Sequence, residues 1–325
     1  MFAWKKLGNI FNPVALKPSD WMQEYAQCPT PFLLNEETLR VFIACRPERG
    51  EDGQYVSYPG YVDLDRNDVT RVVKVSSTPL LPLGNPGAFD EFGIMPSSAV
   101  RAGDNVYLYY TGWTRMSSVP FTVGIGLAVS RDGGETFQKL GEGPILGLAL
   151  NEPYLVNSPA VCIIDGKWHM WYLTGTKWLP NDGKPEAVFQ IAHATSEDGI
   201  SWVRNGLPII EPISKDECQD IFLPFFHAGK WHAVFAYRKP IGFRSDPAST
   251  YRLGYASSTD LATWIRDDAQ VGIDVSATGW DSQMMCSSQV MQLDGRTLLF
   301  YCGNVFGREG FGIAEMTGYS ASAGR

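Results

Sequence analysis

The sequence predicts an all-β fold: one domain spanning residues 1–325, a single five-bladed β-propeller with four-stranded blades, its ring closed by the N-terminal strand. Three observations carry this. The chain repeats at intervals of 65 and 62 residues, read from aromatic anchors at Phe137, Trp202 and Trp264. Each copy carries a hairpin signal, two apolar alternating runs around a tight polar turn. The composition (33 Gly, 21 Pro and 13% aromatics) suits many short strands and turns rather than helices.

The elements follow in chain order. The first copy opens with PFLLNEETLRVFI (31–43), a hairpin with a weak turn. The second has SAVRAGDNVYLYY (98–110), a third strand VGIGLAV (123–129) and a turn SRDGGETF (130–137). The third repeats this order with PAVCIIDGKWHMWY (159–172), FQIAHAT (189–195) and SEDGISW (196–202). The fourth reads PFFHAGKWHAVFAY (224–237), YRLGYA (251–256) and SSTDLATW (257–264). In these turns Asp folds its carboxylate back onto backbone N–H groups, and the following aromatic plugs the gap between sheets. The fifth copy has SQVMQLDGRTLLFY (288–301) and GFGIAEM (310–316), with little chain left for a fourth strand. WKKLG (4–8) matches FQKLG (137–141), an outer strand, so the N-terminus is expected to complete blade five. A closed ring also leaves no long sheet edge exposed.

A formal net charge of −8 argues against nucleic acid and anionic membranes as partners. The N-terminus lacks the apolar core of a secretory signal and no run is long enough to span a bilayer, so a cytoplasmic protein is expected. Cys28, Cys45, Cys162, Cys218, Cys286 and Cys302 form no CxxC pair and read as buried free thiols. His169 and His232 recur in Lys-Trp-His and read as packing residues. His193 reads as core and His227 as exposed. No metal site and no cofactor are expected.

Several motifs carry a resemblance over essentially the whole chain. They are FDEFGIMPS (89–97), YYTGW (109–113), GLAVSRDGG (126–134), MWY (170–172), GWDS (279–282) and YCGNVFG (301–307). These resemble the five-bladed propeller superfamily of glycoside hydrolases, which includes family 43 arabinanases and xylosidases, family 32 invertases and family 130 mannoside phosphorylases. They are most similar to propellers associated with bacterial surface-polysaccharide synthesis. The resemblance implies a carbohydrate-active enzyme with its site in the central funnel and an oligosaccharide or polysaccharide, neutral or anionic, as substrate. Fold alone does not fix the reaction.

Glycosidic cleavage needs two carboxyl groups flanking the bond. The segments leading into the inner strands supply Asp90, Glu91, Glu152, Glu217, Asp220 and Asp281. The expected pair is Asp90 as base or nucleophile with Glu152 as acid, and Glu217 with Asp281 comes next. Asp90 and Asp281 also follow an aromatic, Phe89 and Trp280, so a repeated turn cap is the competing reading. In families 43 and 32 an essential Asp lies on the first blade's inner strand, where this chain reads Gln27-Cys28-Pro29. Glycosyl transfer, phosphorolysis and noncatalytic glycan binding therefore stand beside hydrolysis. Substrate contacts are expected from Asn157 and from second-strand ends: Arg46, Trp113, Arg115, Trp178, Tyr237, Arg238 and Asn304. The arginines either clamp an anion through two parallel hydrogen bonds or neutralise channel carboxylates.

Overall fold

The computed structural model describes residues 1–320. The chain opens with β1 (Phe2–Phe11) and then builds five antiparallel sheets in sequence. Blade one is β2 (Glu24–Leu33), β3 (Thr38–Arg46), β4 (Tyr58–Asp65) and β5 (Val72–Val75). Blade two is β6 (Gly93–Ala102), β7 (Asn105–Arg115), β8 (Phe121–Ser130) and β9 (Gln138–Lys139). Blade three is β10 (Val156–Ile164), β11 (Lys167–Leu179), β12 (Glu186–Ser196) and β13 (Val203–Pro208). In blade four the inner strand is split into β14 (Cys218–Gln219) and β15 (Phe225–His227), followed by β16 (Lys230–Arg238), β17 (Arg252–Ser258) and β18 (Ile265–Arg266). Blade five is β19 (Cys286–Leu293), β20 (Arg296–Cys302) and β21 (Phe311–Tyr319), with β1 as its outer strand. The protein is thus a five-bladed β-propeller, closed as its first residues predict: β1 pairs with β21 from Phe2↔Tyr319 to Phe11↔Phe311.

The turns form for the expected reason. Asp198 accepts N–H bonds from Ile200 at 2.8 Å and Ser201 at 2.7 Å, and Asp260 accepts from Ala262 and Thr263 at 2.9 and 2.8 Å. Those bonds hold the Asp198 carboxyl at a pKa of about 2, below the usual carboxylate range.

The five large apolar cores each lie between adjacent blades. Leu39, Val41 and Val62 of blade one meet Leu298, Phe300 and Ile313 of blade five. Trp171 and Leu173 of blade three meet Phe222 and Phe235 of blade four. A small cluster of Cys28, Met95, Ala160, Ile221 and Leu223 joins four blades at the axis. The fifth adds Gln289, whose amide donates to Thr30 Oγ1 at 3.1 Å and to the Ser97 carbonyl at 2.8 Å. Arg40 is fully buried and forks onto Asp63 at 2.7 and 2.8 Å, with its third contact the Gly134 carbonyl of blade two.

All six cysteines are free, and Cys162 is half-buried rather than buried. His232 is buried against Tyr255 Oη at 2.6 Å, whereas His169 is half-buried and faces His193 at 3.0 Å. His193 is half-buried rather than core. His227 is half-buried too, because its ring packs on Phe2 and Tyr319. Among the described residues no helix is long and apolar enough to cross a membrane.

Candidate functional site

The segments that lead into the inner strands place their carboxylates away from the axis, in a clamp repeated in four blades. Asp90 accepts from Tyr110 Oη at 3.1 Å and pairs with Lys139 at 2.6 Å. Glu152 accepts from Tyr172 Oη at 2.9 Å and pairs with Arg204 at 2.9 Å. Asp281 accepts from Tyr301 Oη at 3.0 Å and pairs with Lys6 at 2.7 Å. Glu217 pairs with Arg266 at 2.6 Å and accepts from Gln219 Nε2 at 3.2 Å. In each blade the cation stands on the outer strand, and all four carboxylates are buried. Phe89 stacks on Tyr110 and Trp280 on Tyr301, with ring centroids 6.0 and 5.1 Å apart. The expectation that these residues meet at the funnel therefore needs correcting. Burial is met within the same blade by a cation and a phenol, or for Glu217 by a cation and the Gln219 amide. Glu91 instead accepts from the backbone N–H of Gly87 at 2.9 Å.

One step further along, the five inner strands reach a common level. Gln27 stands opposite Ala44, Met95 opposite Thr111, Asn157 opposite Leu173 and Cys286 opposite Cys302, while the Asp220 N–H bonds the Ala236 carbonyl. These second-strand residues directly follow Ile43, Tyr110, Tyr172, Phe235 and Tyr301, so the five inner residues share one level. Next along the chain, Cys28, Ser158 and Ser287 adopt positive φ of 53, 50 and 50° at register shifts, which bends these strands at the axis. The level holds one carboxyl, Asp220. Its oxygens accept from the N–H groups of Ile221 at 2.8 Å and Ser287 at 2.7 Å, and from Ser287 Oγ at 3.2 Å. Burial raises its pKa above the ordinary carboxylate value. The Gln27 Oε1 and Asn157 Oδ1 atoms are buried without a hydrogen-bond partner.

Above this level opens a cleft of about 630 Å³, walled by the loops between second and third strands of all five blades. Blade one contributes Arg46, Arg49 and Tyr55, and blade two Trp113, Arg115 and Phe121. Lys184 and Glu186 come from blade three, Phe243, Arg244 and Asp246 from blade four, and Val305 and Phe306 from blade five. Tyr25, Gln27 and Met284 lie at its inner end. Glu186 is paired with Arg244.

Arg46, Trp113 and Arg115 thus line the cleft. Trp178 packs edge-on against the cleft residue Phe121 at 5.4 Å and stands behind it. Arg238 is buried behind Phe243, 3.5 Å from the ring centroid, and donates to the carbonyls of Lys239 and Pro240. Tyr237 lies under Arg266 at 4.5 Å, outside the cleft. Asn304 is a turn residue whose side chain accepts from the N–H groups of Gln283 and Met284. Sequence reasoning passed over Tyr55, Arg49, Phe243 and Arg244. The signal was present as arginine–aromatic loops, RPERGEDGQY (46–55) and FRSD (243–246). The clamp also had a signal, since Lys6, Lys139, Arg204 and Arg266 each stand two residues after the aromatic anchor. No group of three or more His, Cys, Asp or Glu able to hold a metal ion occurs among the described residues.

The fold is a five-bladed propeller, the fold also found in glycoside hydrolases. A solved glycoside hydrolase superposes with a TM-score of 0.73 at 17% identity, over 98% of this chain and 93% of the other. The β-1,2-mannobiose phosphorylase from Listeria innocua, solved with β-1,2-mannobiose, superposes with a TM-score of 0.66 at 13% identity, over 97% and 96%. At these identities the likeness is one of fold. No family model matches the chain. The chain belongs to the family of the Mycobacterium tuberculosis proteins Rv1502 and MT1551: each is 32% identical over 317 residues, covering 97% of this chain and 99% of its relative.

Proposed function

We propose that the five-loop cleft binds a glycoside and that the protein catalyses glycosyl transfer, with Asp220 as the general acid. The observation that carries this reading is the axial level of Gln27, Met95, Asn157, Asp220 and Cys286, where one carboxyl stands among neutral side chains. Hydrolysis with inversion needs a second carboxylate to activate water. An acceptor that brings its own negative charge, such as phosphate, needs no base. The protonated Asp220 would give its proton to the leaving oxygen as the bond from that oxygen to the anomeric carbon breaks. An acceptor oxygen would form the new bond to that carbon, and solvent would return the proton. Burial, which keeps Asp220 protonated at higher pH, favours this role. So does the presence of a phosphorylase among proteins of the same fold.

The test is a panel of aryl glycosides and disaccharides with and without inorganic phosphate, assayed with wild type and Asp220→Asn. Turnover that depends on phosphate and falls at least about a hundredfold in Asp220→Asn is expected. Full activity in the variant would remove Asp220 from the mechanism. Noncatalytic glycan binding is the second reading, favoured because Asp220 is 8% exposed and its oxygens already have donors. Binding of a glycan with no turnover under any condition would select it.

A further inference from the structure

Arg46 is a cation without a counter-ion. Its guanidinium lies 4.5 Å from the Tyr25 ring centroid and 4.6 Å from that of Tyr55. Its Nε donates to Ser57 Oγ at 3.2 Å, which fixes the fork, and its two terminal nitrogens bond nothing in the protein among the described residues. The nearby carboxylates are taken. Glu24 binds Arg308 and Tyr55 Oη, and Asp52 pairs with Arg115 at 2.8 Å. A second guanidinium, Arg49, lies 4.4 Å from the same Tyr55 ring. Arg46 is half-buried and Arg49 exposed, and both belong to the cleft wall. The cleft residue Arg115 also carries a buried donor, Nε, with no partner. Burial also pushes the Arg46 pKa down.

We infer that Arg46 seats an oxyanion, a carboxylate or phosphate group of the substrate, against the Tyr25–Tyr55 wall of the cleft. A bidentate oxyanion fits the fixed fork and neutralises Arg46, with Arg49 on the same Tyr55 ring. The aromatic walls raise the worth of that contact by excluding water. This deepens the transfer reading and rests on the same cleft, but binding alone tests it.

Calorimetry and thermal shift would use sodium phosphate, sodium glucuronate, glucose, and sodium chloride at matched ionic strength. Phosphate or glucuronate should bind saturably and raise Tm, while glucose and chloride should not. Phosphate alone would identify a phosphate group as the occupant, and glucuronate alone a uronate carboxylate. Arg46→Gln should weaken the binding about ten- to a hundredfold. Arg46→Lys should weaken it as well, because an ammonium lacks the planar fork, and it keeps the test open should Arg46→Gln not fold. Arg131→Gln, an exposed change outside the cleft, should bind as wild type does. Absence of binding by both anions, or unchanged affinity in both Arg46 variants, would overturn the assignment. Anion binding that survives while every transfer assay fails would sink the transfer reading and leave this seat standing.

Discussion

At the scale of single residues, two kinds of charge are handled in opposite ways. Four carboxylates ahead of the inner strands are buried with a cation, whereas Arg46 is half-buried with none. Glu152 shows the first kind: its side chain is 2% exposed and its partner Arg204 is 13% exposed. Removing one member of such a pair leaves the other charge buried and uncompensated. Glu152→Ala should therefore lower stability by about 3 kcal/mol in urea unfolding. It should leave oxyanion binding at the cleft intact. A catalytic Glu152 would give the reverse, lost turnover with unchanged stability, so the two readings separate in one variant.

At the scale of elements, β1 does the closing. It fills the outer edge of blade five, buries Phe2 and Phe11, and brings Lys6 to Asp281. Phe2 lies against Phe225, His232 and Tyr255 of blade four, so the strand also seals the seam between two blades. Deleting residues 1–14 should expose the β21 edge and leave Asp281 buried without its cation. The expected product is insoluble, or soluble with loss of the near-ultraviolet dichroism that ordered aromatics give. A soluble truncated protein with the wild-type Tm would refute closure as a source of stability.

At the scale of the whole molecule, cores between blades make neighbours depend on one another, and the axial contacts couple blades that are not neighbours in sequence. Gln289 of blade five bonds Thr30 of blade one and Ser97 of blade two. Gln289→Met keeps the volume and removes both donors, leaving the buried Ser97 carbonyl without this bond. The change should cost about 2 kcal/mol. Because the ring is continuous, unfolding should shift as one transition rather than split. A biphasic melt in the variant would mean that the blades unfold separately.

The sequence by itself determined the repeat, the number of blades, the hairpins and the closing strand. Each rests on local chemistry: alternation with period two, turns that need Asp and Gly, and a self-match between WKKLG and FQKLG. Of the residues it named at second-strand ends, Arg46, Trp113 and Arg115 line the cleft, whereas Trp178 and Arg238 end equivalent strands behind its wall. Only the tertiary structure decided which way the carboxylates face. Asp281 meets a lysine 275 residues away in sequence, and the outward clamp exists only once the outer strand is in place. A lead-in carboxylate looks the same in sequence whether it turns to the axis or to its own blade's edge. The choice follows from where the compensating cation sits, since a buried charge goes where it can be paired. Asp220, one of the six candidate carboxylates, stands in neither expected pair, because its place at the axial level comes from the register of five strands.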